Sequence, residues 1–310
     1  MPVLPDDRKE YFAFASELLK DLDALNFSHE TVLWHYTSGS ALLSIIDSGT
    51  LYSTQVSCLN DSTEVRYGAR LFKDALTKLL SEYAGEQQLL AFIQETLKFF
   101  DEEPDFPVNA AIPYFVTCFS LDGDDLNQWR SYCYGENGYA IGFKASGLLG
   151  IPNSLLVRVN YDRDAHLRLA IKASNATVRF FKEGIEKKRA DSIEQWTKEF
   201  LAVWDDVITQ LAPMIKDPSF LSEKEFRIVH QLTTDDARSI RVMQKETMMS
   251  RHLPLRTPSI AVVPTLPIVG VRVGPCRHPA VTRISVDTAL RQRGYGGGLV
   301  SSSSVPFRHT

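Results

Sequence analysis

Thr31-Val32-Leu33-Trp34-His35-Tyr36 opens the stretch that decides the fold, and a helical pattern from Ser40 to Ser48 follows it. The β-branched and aromatic residues favour a strand over 31–36, and Ser40 is suited to cap the helix. Gly49 then suits the left-handed turn with which many helices end. The predicted unit is strand, turn, helix and glycine, and His35 near the strand end is the leading candidate for a functional centre.

The same kinds of signal recur along the chain. Helices are predicted over 6–25, 61–83, 86–100, 165–187, 192–211 and 281–293, and strands over 31–36, 114–119, 138–143, 155–159, 226–232, 260–263 and 268–273. A short helix capped by Asp124 or Asp125 and a last short strand after the glycine-rich turn 294–298 complete the pattern. An α+β fold with a mixed or antiparallel sheet is therefore predicted.

Nothing in the sequence requires separable domains, because it shows no internal repeat and no long linker. A single domain over 1–310 is predicted. Its parts are an N-terminal helix (6–25), a core of about 31–160 and 220–308, and a helical insertion of about 161–215.

Composition excludes several classes of protein. With 44% hydrophobic and 23% charged residues, the chain is ordinary for a globular protein. Its apolar runs are far shorter than the roughly 20 residues of a membrane helix, and the N-terminus lacks a secretory signal. We expect a cytoplasmic protein with no membrane partner. The four cysteines lack the paired spacing of zinc sites, and the sequence contains no P-loop, dinucleotide fingerprint, nucleophile elbow or zincin motif.

Charge is unevenly distributed, although the net charge is only −4. From Ser250 onward there are eight arginines, no lysine and one acid, Asp287. Guanidinium groups match phosphate geometry, so this end can form a phosphate-binding surface. The alternative is that these arginines form ion pairs with the acidic N-terminal half.

Polar residues cluster most densely between Trp34 and Glu64. The set comprises His35, Tyr36, Thr37, Ser38, Asn60, Asp61 and Glu64. An imidazole at a strand end, followed by hydroxyl groups, can hold a ligand hydroxyl or phosphate. The alternatives are a core histidine with satisfied hydrogen bonds and, for Asp61 and Glu64, a capping box.

A second cluster lies in Ser222-Glu223-Lys224-Glu225-Phe226-Arg227. If it is extended, Glu223, Glu225 and Arg227 share one face and Phe226 points into the core. Such a carboxylate can stabilise positive charge on a reacting sugar. A salt-bridge ladder, or a capping box from Ser222 to Glu225, is the alternative.

Aromatic residues form the third cluster, in which Trp129 and Tyr132 precede Gly138-Tyr139-Ala140-Ile141-Gly142-Phe143. They can stack on a flat ring, or they can fill the core.

In their order along the chain these motifs resemble the bacterial domain-of-unknown-function 2971 family. The motifs are Trp34-His35-Tyr36-Thr37-Ser38, Leu59-Asn60-Asp61-x-x-Glu64, Trp129-x-x-Tyr132, Gly138-x-x-Ile141-Gly142-Phe143, Glu223-Lys224-Glu225-Phe226-Arg227 and Ser304-x-Pro306-Phe307-Arg308. The resemblance spans about residues 33 to 308.

More distantly, the strand with His-x-Thr, the helix ending in glycine and the later Glu-x-Glu resemble the ADP-ribosyltransferase superfamily. That resemblance implies a split-sheet core and NAD as the substrate, without a metal. It implies that His35 orients a ribose, that Tyr36 and Thr37 shape the pocket, and that Glu225, preceded by Glu223, stabilises the cation. Asn60 and Arg308 would also contact NAD, and Trp129, Tyr132 or Tyr139 would stack on nicotinamide.

Three hypotheses about function follow. The first is NAD binding with transfer of ADP-ribose to a protein or nucleic-acid acceptor, or hydrolysis of NAD, in bacterial defence or stress. The second is a non-catalytic module that senses a nucleotide-type ligand or binds a protein. The third is a metal-dependent nucleic-acid-processing enzyme that uses Asp61, Glu64 and Glu223.

Overall fold

The computed structural model describes residues 17–18, 20–59, 63–102, 114–132, 138–187, 192, 194–198, 211–233, 236–244, 248–257 and 266–306. At 63–65 and 99–102 it describes the backbone alone. The helices are α1 (Gly39–Ser48), α2 (Thr63–Glu82), α3 (Gln87–Glu102), α4 (Leu126–Tyr132), α5 (Ala145–Leu148), α6 (Arg163–Glu186) and α7 (Pro279–Gln292).

The strands are β1 (Val32–Ser38), β2 (Leu51–Gln55), β3 (Tyr114–Ser120), β4 (Gly138–Lys144), β5 (Ser154–Arg158), β6 (Glu225–Gln231), β7 (Arg241–Gln244), β8 (Met249–Leu255), β9 (Ile268–Val273) and β10 (Val300–Ser302). Short 3₁₀ helices include Pro218–Glu223 and Asp236–Ser239. The prediction of an α+β fold is confirmed. None of the described helices is long and apolar enough to cross a bilayer.

The chain divides into two compact units. The first comprises 1–25, 56–114 and 159–221, and the second comprises 26–55, 115–158 and 222–310. The prediction of a single domain over 1–310 stays a prediction.

The second unit is built on a mixed sheet in the order β10-β9-β4-β1-β3-β2-β8-β7, and β6 joins β3 to β5. Only the β9–β10 pair is parallel among the registers described, and the other pairs are antiparallel. β1 pairs with β4 from Val32 to Ser38, whereas its register with β3 is given by Trp34 opposite Ser120. β1 is therefore held far more extensively on its β4 side.

A hydrophobic core covers one face of this sheet. Leu33, Ile141, Phe226 and Val271 bring β1, β4, β6 and β9 into it, and Leu42 brings in α1. Apolar residues at strand period and helix period meet in this core, so the local patterns and the packing agree.

Both ends of α1 are defined by single residues. Gly49 has φ +59, as predicted for the residue that ends the helix. The predicted cap, Ser40, is wrong by two residues, because the Ser38 hydroxyl accepts the hydrogen bond from the Ala41 N–H at 3.3 Å. Ser38 is extended and precedes the first helical turn, which is the geometry that a capping oxygen requires.

The first unit is mainly helical and includes α2, α3 and α6. Phe92 of α3 stacks on Phe181 of α6, with ring centroids 3.8 Å apart. The predicted helix over 165–187 is confirmed as α6. Of the predicted helices 6–25 and 192–211, most residues lie outside the described part of the chain.

Sequence patterns missed three strands, β2, β7 and β8. β8 contains Pro254, β2 has only five residues, and β7 has four that are mostly exposed. Segments that are short or interrupted by proline carry little strand signal of their own. The predicted strand 260–263 lies outside the described residues.

Candidate functional site

β1 presents two different surfaces, because successive side chains of a strand point to opposite faces. On one face His35 and Thr37 follow Leu33 and lie opposite Ile141 and Tyr139 of β4. On the other face Trp34 and Tyr36 lie opposite Gly142 and Ala140. The candidate site is therefore described one face at a time.

His35 is held by β3. Its Nδ1 lies 2.9 Å from the Cys118 carbonyl oxygen, and its ring centroid lies 5.8 Å from that of Phe119. A carbonyl oxygen only accepts, so Nδ1 carries the proton and the neutral ring keeps a lone pair on Nε2. Burial lowers the pKa of His35 below its ordinary value, and the bond to Cys118 offsets part of that shift. At neutral pH His35 is thus a neutral ring whose Nε2 can accept a hydrogen bond.

Thr37 and Tyr139 lie side by side on the same face as His35. Both are 8% exposed, and the Tyr139 ring belongs to the hydrophobic core. A Cβ at Gly39 would lie 3.2 Å from Cε2 of Tyr139, so Gly39 lets the ring lie against the start of α1. Burial raises the pKa of Tyr139, with a smaller contribution from Cys276. Tyr139 is therefore a packing residue: its ring is part of the hydrophobic core and presents little surface to a ligand.

Tyr36, on the opposite face, ties β1 to the segment before α4. Its hydroxyl donates to the Asp122 carbonyl at 2.7 Å and accepts from the Asp125 N–H at 3.0 Å. Burial is the largest cause of the raised pKa of Tyr36. The hydroxyl is therefore a protonated, structural hydrogen-bonding group.

The two aromatic residues of α4 differ sharply in exposure. Trp129 is fully buried and packs edge-on against Tyr36, with centroids 4.7 Å apart. Tyr132 is 44% exposed, and its centroid lies 6.5 Å from that of Tyr36. Of the three aromatic candidates, Tyr132 is the one that presents substantial ring surface to solvent.

Asp124 is a central residue that the sequence indicated only as a possible helix cap. Its carboxylate accepts from Trp129 Nε1 at 3.0 Å, from the Ser303 hydroxyl at 2.5 Å, and from the N–H and hydroxyl of Ser304 at 2.8 Å each. Burial by itself would raise the pKa of Asp124, but these bonds outweigh it and lower the pKa. The cap of α4 is Asp125, whose Oδ1 accepts from the Gln128 N–H at 2.9 Å. Asp124 instead joins the aromatic motif to the C-terminal motif.

Trp34 explains Gly142 of the middle motif and also Gly123 before α4. Its ring passes so close to Gly142 that a Cβ there would lie 3.0 Å from Cζ3, and a Cβ at Gly123 would clash with the indole more severely. The guanidinium of Arg272 lies 5.0 Å from the ring centroid, in cation–π geometry. One C-terminal arginine is thus used to hold this cluster.

Glu225 is the first residue of β6 and is almost completely buried. Its two carboxylate oxygens accept from Nε and Nη2 of Arg227, at 2.8 Å each. Phe226 and Ile228 enter the core, as predicted. The expectation that Glu223 shares this strand face is wrong, because Glu223 ends a 3₁₀ helix and Lys224, with φ +46, turns the chain before β6 begins.

None of the hydrogen bonds or ring contacts described for His35 and Glu225 joins the two residues. His35 is on the same side of β1 as Leu33, and Glu225 is on the side of β6 opposite to Phe226, while Leu33 and Phe226 share one core. His35 bonds to β3, and Glu225 bonds to Arg227. Convergence of the two side chains on one pocket stays a prediction.

Four predicted residues lie outside what the structure describes. They are Asn60, Asp61 and Arg308, and Glu64 for its side chain. Within the described ranges no group of three or more His, Cys, Asp or Glu side chains could hold a metal ion. Because Asp61 and Glu64 are not covered by that finding, the metal hypothesis stays a prediction.

By its fold and its site, this chain is an α+β protein with a mixed sheet. A cluster of aromatic residues and a carboxylate lies against β1. Residues 128–228 match the family model described as "Protein of unknown function (DUF2971)". The matched range holds Trp129, Tyr132, Gly142, Glu225 and Arg227, which belong to the motifs that suggested this family. No curated protein and no solved structure matches the chain.

Proposed function

We propose that this protein binds NAD through an ADP-ribosyltransferase-like site in which His35 holds a ribose. The proposal depends on the protonation state and the orientation of the His35 imidazole. Since Nδ1 donates to Cys118 and the ring is neutral, Nε2 is oriented as an acceptor for a ligand hydroxyl. A ribose supplies such hydroxyl groups.

Other residues contribute to this proposed site in different ways. Tyr132 is the proposed stacking residue for nicotinamide, because its ring is exposed, whereas Trp129 and Tyr139 are packed inside the protein. Tyr132 lies beside Tyr36 and His35 faces the other side of β1, so this proposal requires NAD to reach from one side of the strand to the other. Thr37 lies beside His35 on β1 and shapes the wall of the pocket. Asn60 and Arg308 remain proposed contacts on the strength of the family resemblance.

Turnover is assigned to Glu225 in this proposal. Its carboxylate would stabilise the oxocarbenium-like charge that develops when the bond to nicotinamide breaks, so that ADP-ribose passes to water, a protein or a nucleic acid. Arg227 fixes the orientation of the carboxylate through two hydrogen bonds. No metal enters this chemistry.

The test measures NAD binding by calorimetry and nicotinamide release by chromatography on the full chain. We expect His35→Ala to weaken NAD binding about tenfold, the loss of one good hydrogen bond in a desolvated site. His278→Ala is the matched control, because that side chain is exposed and makes no capping bond. An unchanged NAD affinity in the His35→Ala variant would contradict the role given to His35.

Glu225→Gln separates turnover from binding. Gln keeps the size and loses the charge, so we expect NAD to remain bound while nicotinamide release falls at least 100-fold, as for loss of a group that stabilises a transition state. Circular dichroism monitors folding, because the change also removes the ion pair with Arg227. Unchanged release in a folded Glu225→Gln variant would contradict the assignment.

A second candidate function is a ligand-sensing module without turnover, and one observation favours it. Both oxygens of Glu225 already bind a buried arginine, and its positive charge opposes the stabilisation of a nearby cation. This candidate predicts NAD or nucleotide binding that depends on His35, with no nicotinamide released by the unmodified chain. The same two measurements therefore decide between the candidates.

A further inference from the structure

An arginine-lined cavity lies at the β7–β8 end of the sheet. Its volume is about 680 Å³, within the range of small-molecule sites, which is roughly 300–1,000 Å³. It is lined by Arg238, Ser239, Ile240, Arg241, Pro254 and Arg256. We call this the arginine cavity.

Within the described ranges, the three guanidinium groups of the arginine cavity have no acidic partner. In the part of the chain that the structure describes, no carboxylate forms an ion pair with Arg238, Arg241 or Arg256, and Arg256 donates to the Thr50 hydroxyl at 3.3 Å. Elsewhere, Arg291 pairs with Asp287 and Arg293 pairs with Asp47. Three like charges around one cavity repel each other, and a bound anion would remove that cost.

Strand geometry fixes which arginines face the cavity. Arg241 lies opposite His252, two residues from Pro254, so Arg241 and Pro254 share one face of the β7–β8 hairpin. Arg251 lies opposite Val242 and points to the other face. The hairpin thus concentrates positive charge on one side.

We propose that the arginine cavity binds a small molecule that carries at least two phosphoryl groups. Planar guanidinium groups bind phosphate oxygens bidentately. Three guanidinium groups carry more positive charge than a single phosphate group neutralises, so a ligand with two phosphoryl groups fits the cavity better. Ile240 and Pro254 add an apolar surface for the remainder of the ligand, such as a nucleoside.

This ligand site is separate from the one proposed at His35. β8 is three strands from β1 in the sheet, by way of β2 and β3. At about 4.8 Å between strands, that separation is roughly 14 Å. The inference therefore does not depend on NAD binding at His35.

The experiment titrates inorganic pyrophosphate, and then ADP, into the full chain by calorimetry at low salt. We expect each of Arg238→Gln, Arg241→Gln and Arg256→Gln to weaken pyrophosphate binding about tenfold, since each removes charge-assisted hydrogen bonds. ADP should bind more tightly than pyrophosphate, because its nucleoside can contact Ile240 and Pro254. The affinity should fall as salt rises.

Arg251→Gln is the matched control, because Arg251 is exposed on the same hairpin but points to the other face. It should leave pyrophosphate binding unchanged. Equal loss in Arg251→Gln, or no pyrophosphate binding by the unmodified chain, would overturn the proposal. So would a single-stranded oligonucleotide that binds more tightly than ADP and depends on Arg251, because the surface would then follow a nucleic-acid backbone. NAD also carries a pyrophosphate, so NAD binding is measured on the same variants, and the part of it that is lost in His35→Ala should be unchanged in the three arginine variants.

Discussion

At the scale of single residues, Asp124 connects parts of the chain that lie far apart. Its carboxylate accepts hydrogen bonds from Trp129 in α4 and from Ser303 and Ser304 beyond β10. Arg272 adds a weak ion pair at 3.9 Å. A carboxylate that satisfies this many donors holds the C-terminal segment against the aromatic cluster.

The first prediction concerns Asp124→Asn. Asn supplies one acceptor oxygen in place of two, so its NH₂ group must face a donor that cannot accept, either the Ser304 N–H or the Trp129 Nε1–H. We expect the free energy of unfolding to fall by about 2 kcal/mol, typical for lost hydrogen bonds to a charged group. Urea denaturation measures the change.

Asp125→Asn is its control. Asp125 caps α4 through the Gln128 N–H, and Asn caps helices about as well as Asp. It should therefore change the stability by less than about 0.5 kcal/mol. An equal loss in both variants would show that charge in this segment matters, and not the bonds of Asp124.

At the scale of elements, α1 and its two ends position β1. Ser38 is the last residue of β1 and also caps the helix, so strand and helix meet with no intervening loop. Leu42, Ile45 and Ile46 then bury one face of α1 in the core. The end of β1 that follows His35 is therefore anchored by the packing of α1.

The second prediction tests the C-terminal end of α1 through Gly49→Ala. With φ +59, Gly49 is in the left-handed region, where an alanine costs about 1 kcal/mol. We expect thermal unfolding to shift down by a few degrees. Gly85→Ala is the control, because a Cβ at Gly85 meets nothing within 4 Å and its φ is not positive. A Gly49→Ala variant as stable as the unmodified chain would contradict the strain assigned to this position.

At the scale of the whole molecule, two histidines whose pKa is lowered, the half-buried His35 and the buried His166, make the stability depend on pH. Burial lowers the pKa of His35 and of His166. The ring of His166 donates from Nε2 to the Asn160 carbonyl and accepts at Nδ1 from the Tyr67 hydroxyl, so its neutral form has both nitrogens satisfied.

The third prediction follows from the sign of these shifts. As pH falls below the ordinary histidine value of about 6.5, the unfolded chain takes up protons that the folded chain resists, so unfolding becomes easier. We expect the melting temperature to fall between pH 7.5 and pH 5.5, as measured by circular dichroism. A melting temperature that does not change over this interval would contradict the prediction.

A second loss of stability belongs to a lower pH. Burial by itself would raise the pKa values of Asp124 and Asp236, but hydrogen bonds from their neighbours outweigh it and lower both. Their contribution is complete above the ordinary aspartate pKa of about 4 and is lost as the pH falls further. The free energy of unfolding should therefore decrease in two separate pH intervals, one below about pH 6.5 and one below about pH 4.

The sequence by itself determined β1, the helix that follows it, its end at Gly49 and the core-facing Phe226. These features depend on strand alternation, helical period and caps, which are set by residues only a few positions apart. Only the tertiary structure decided that Asp124 meets Ser303 and that Arg256 joins Arg238 and Arg241 at one cavity. The reason is that strand order and register bring these partners together, and those are fixed by burial of the whole core and not by any local pattern.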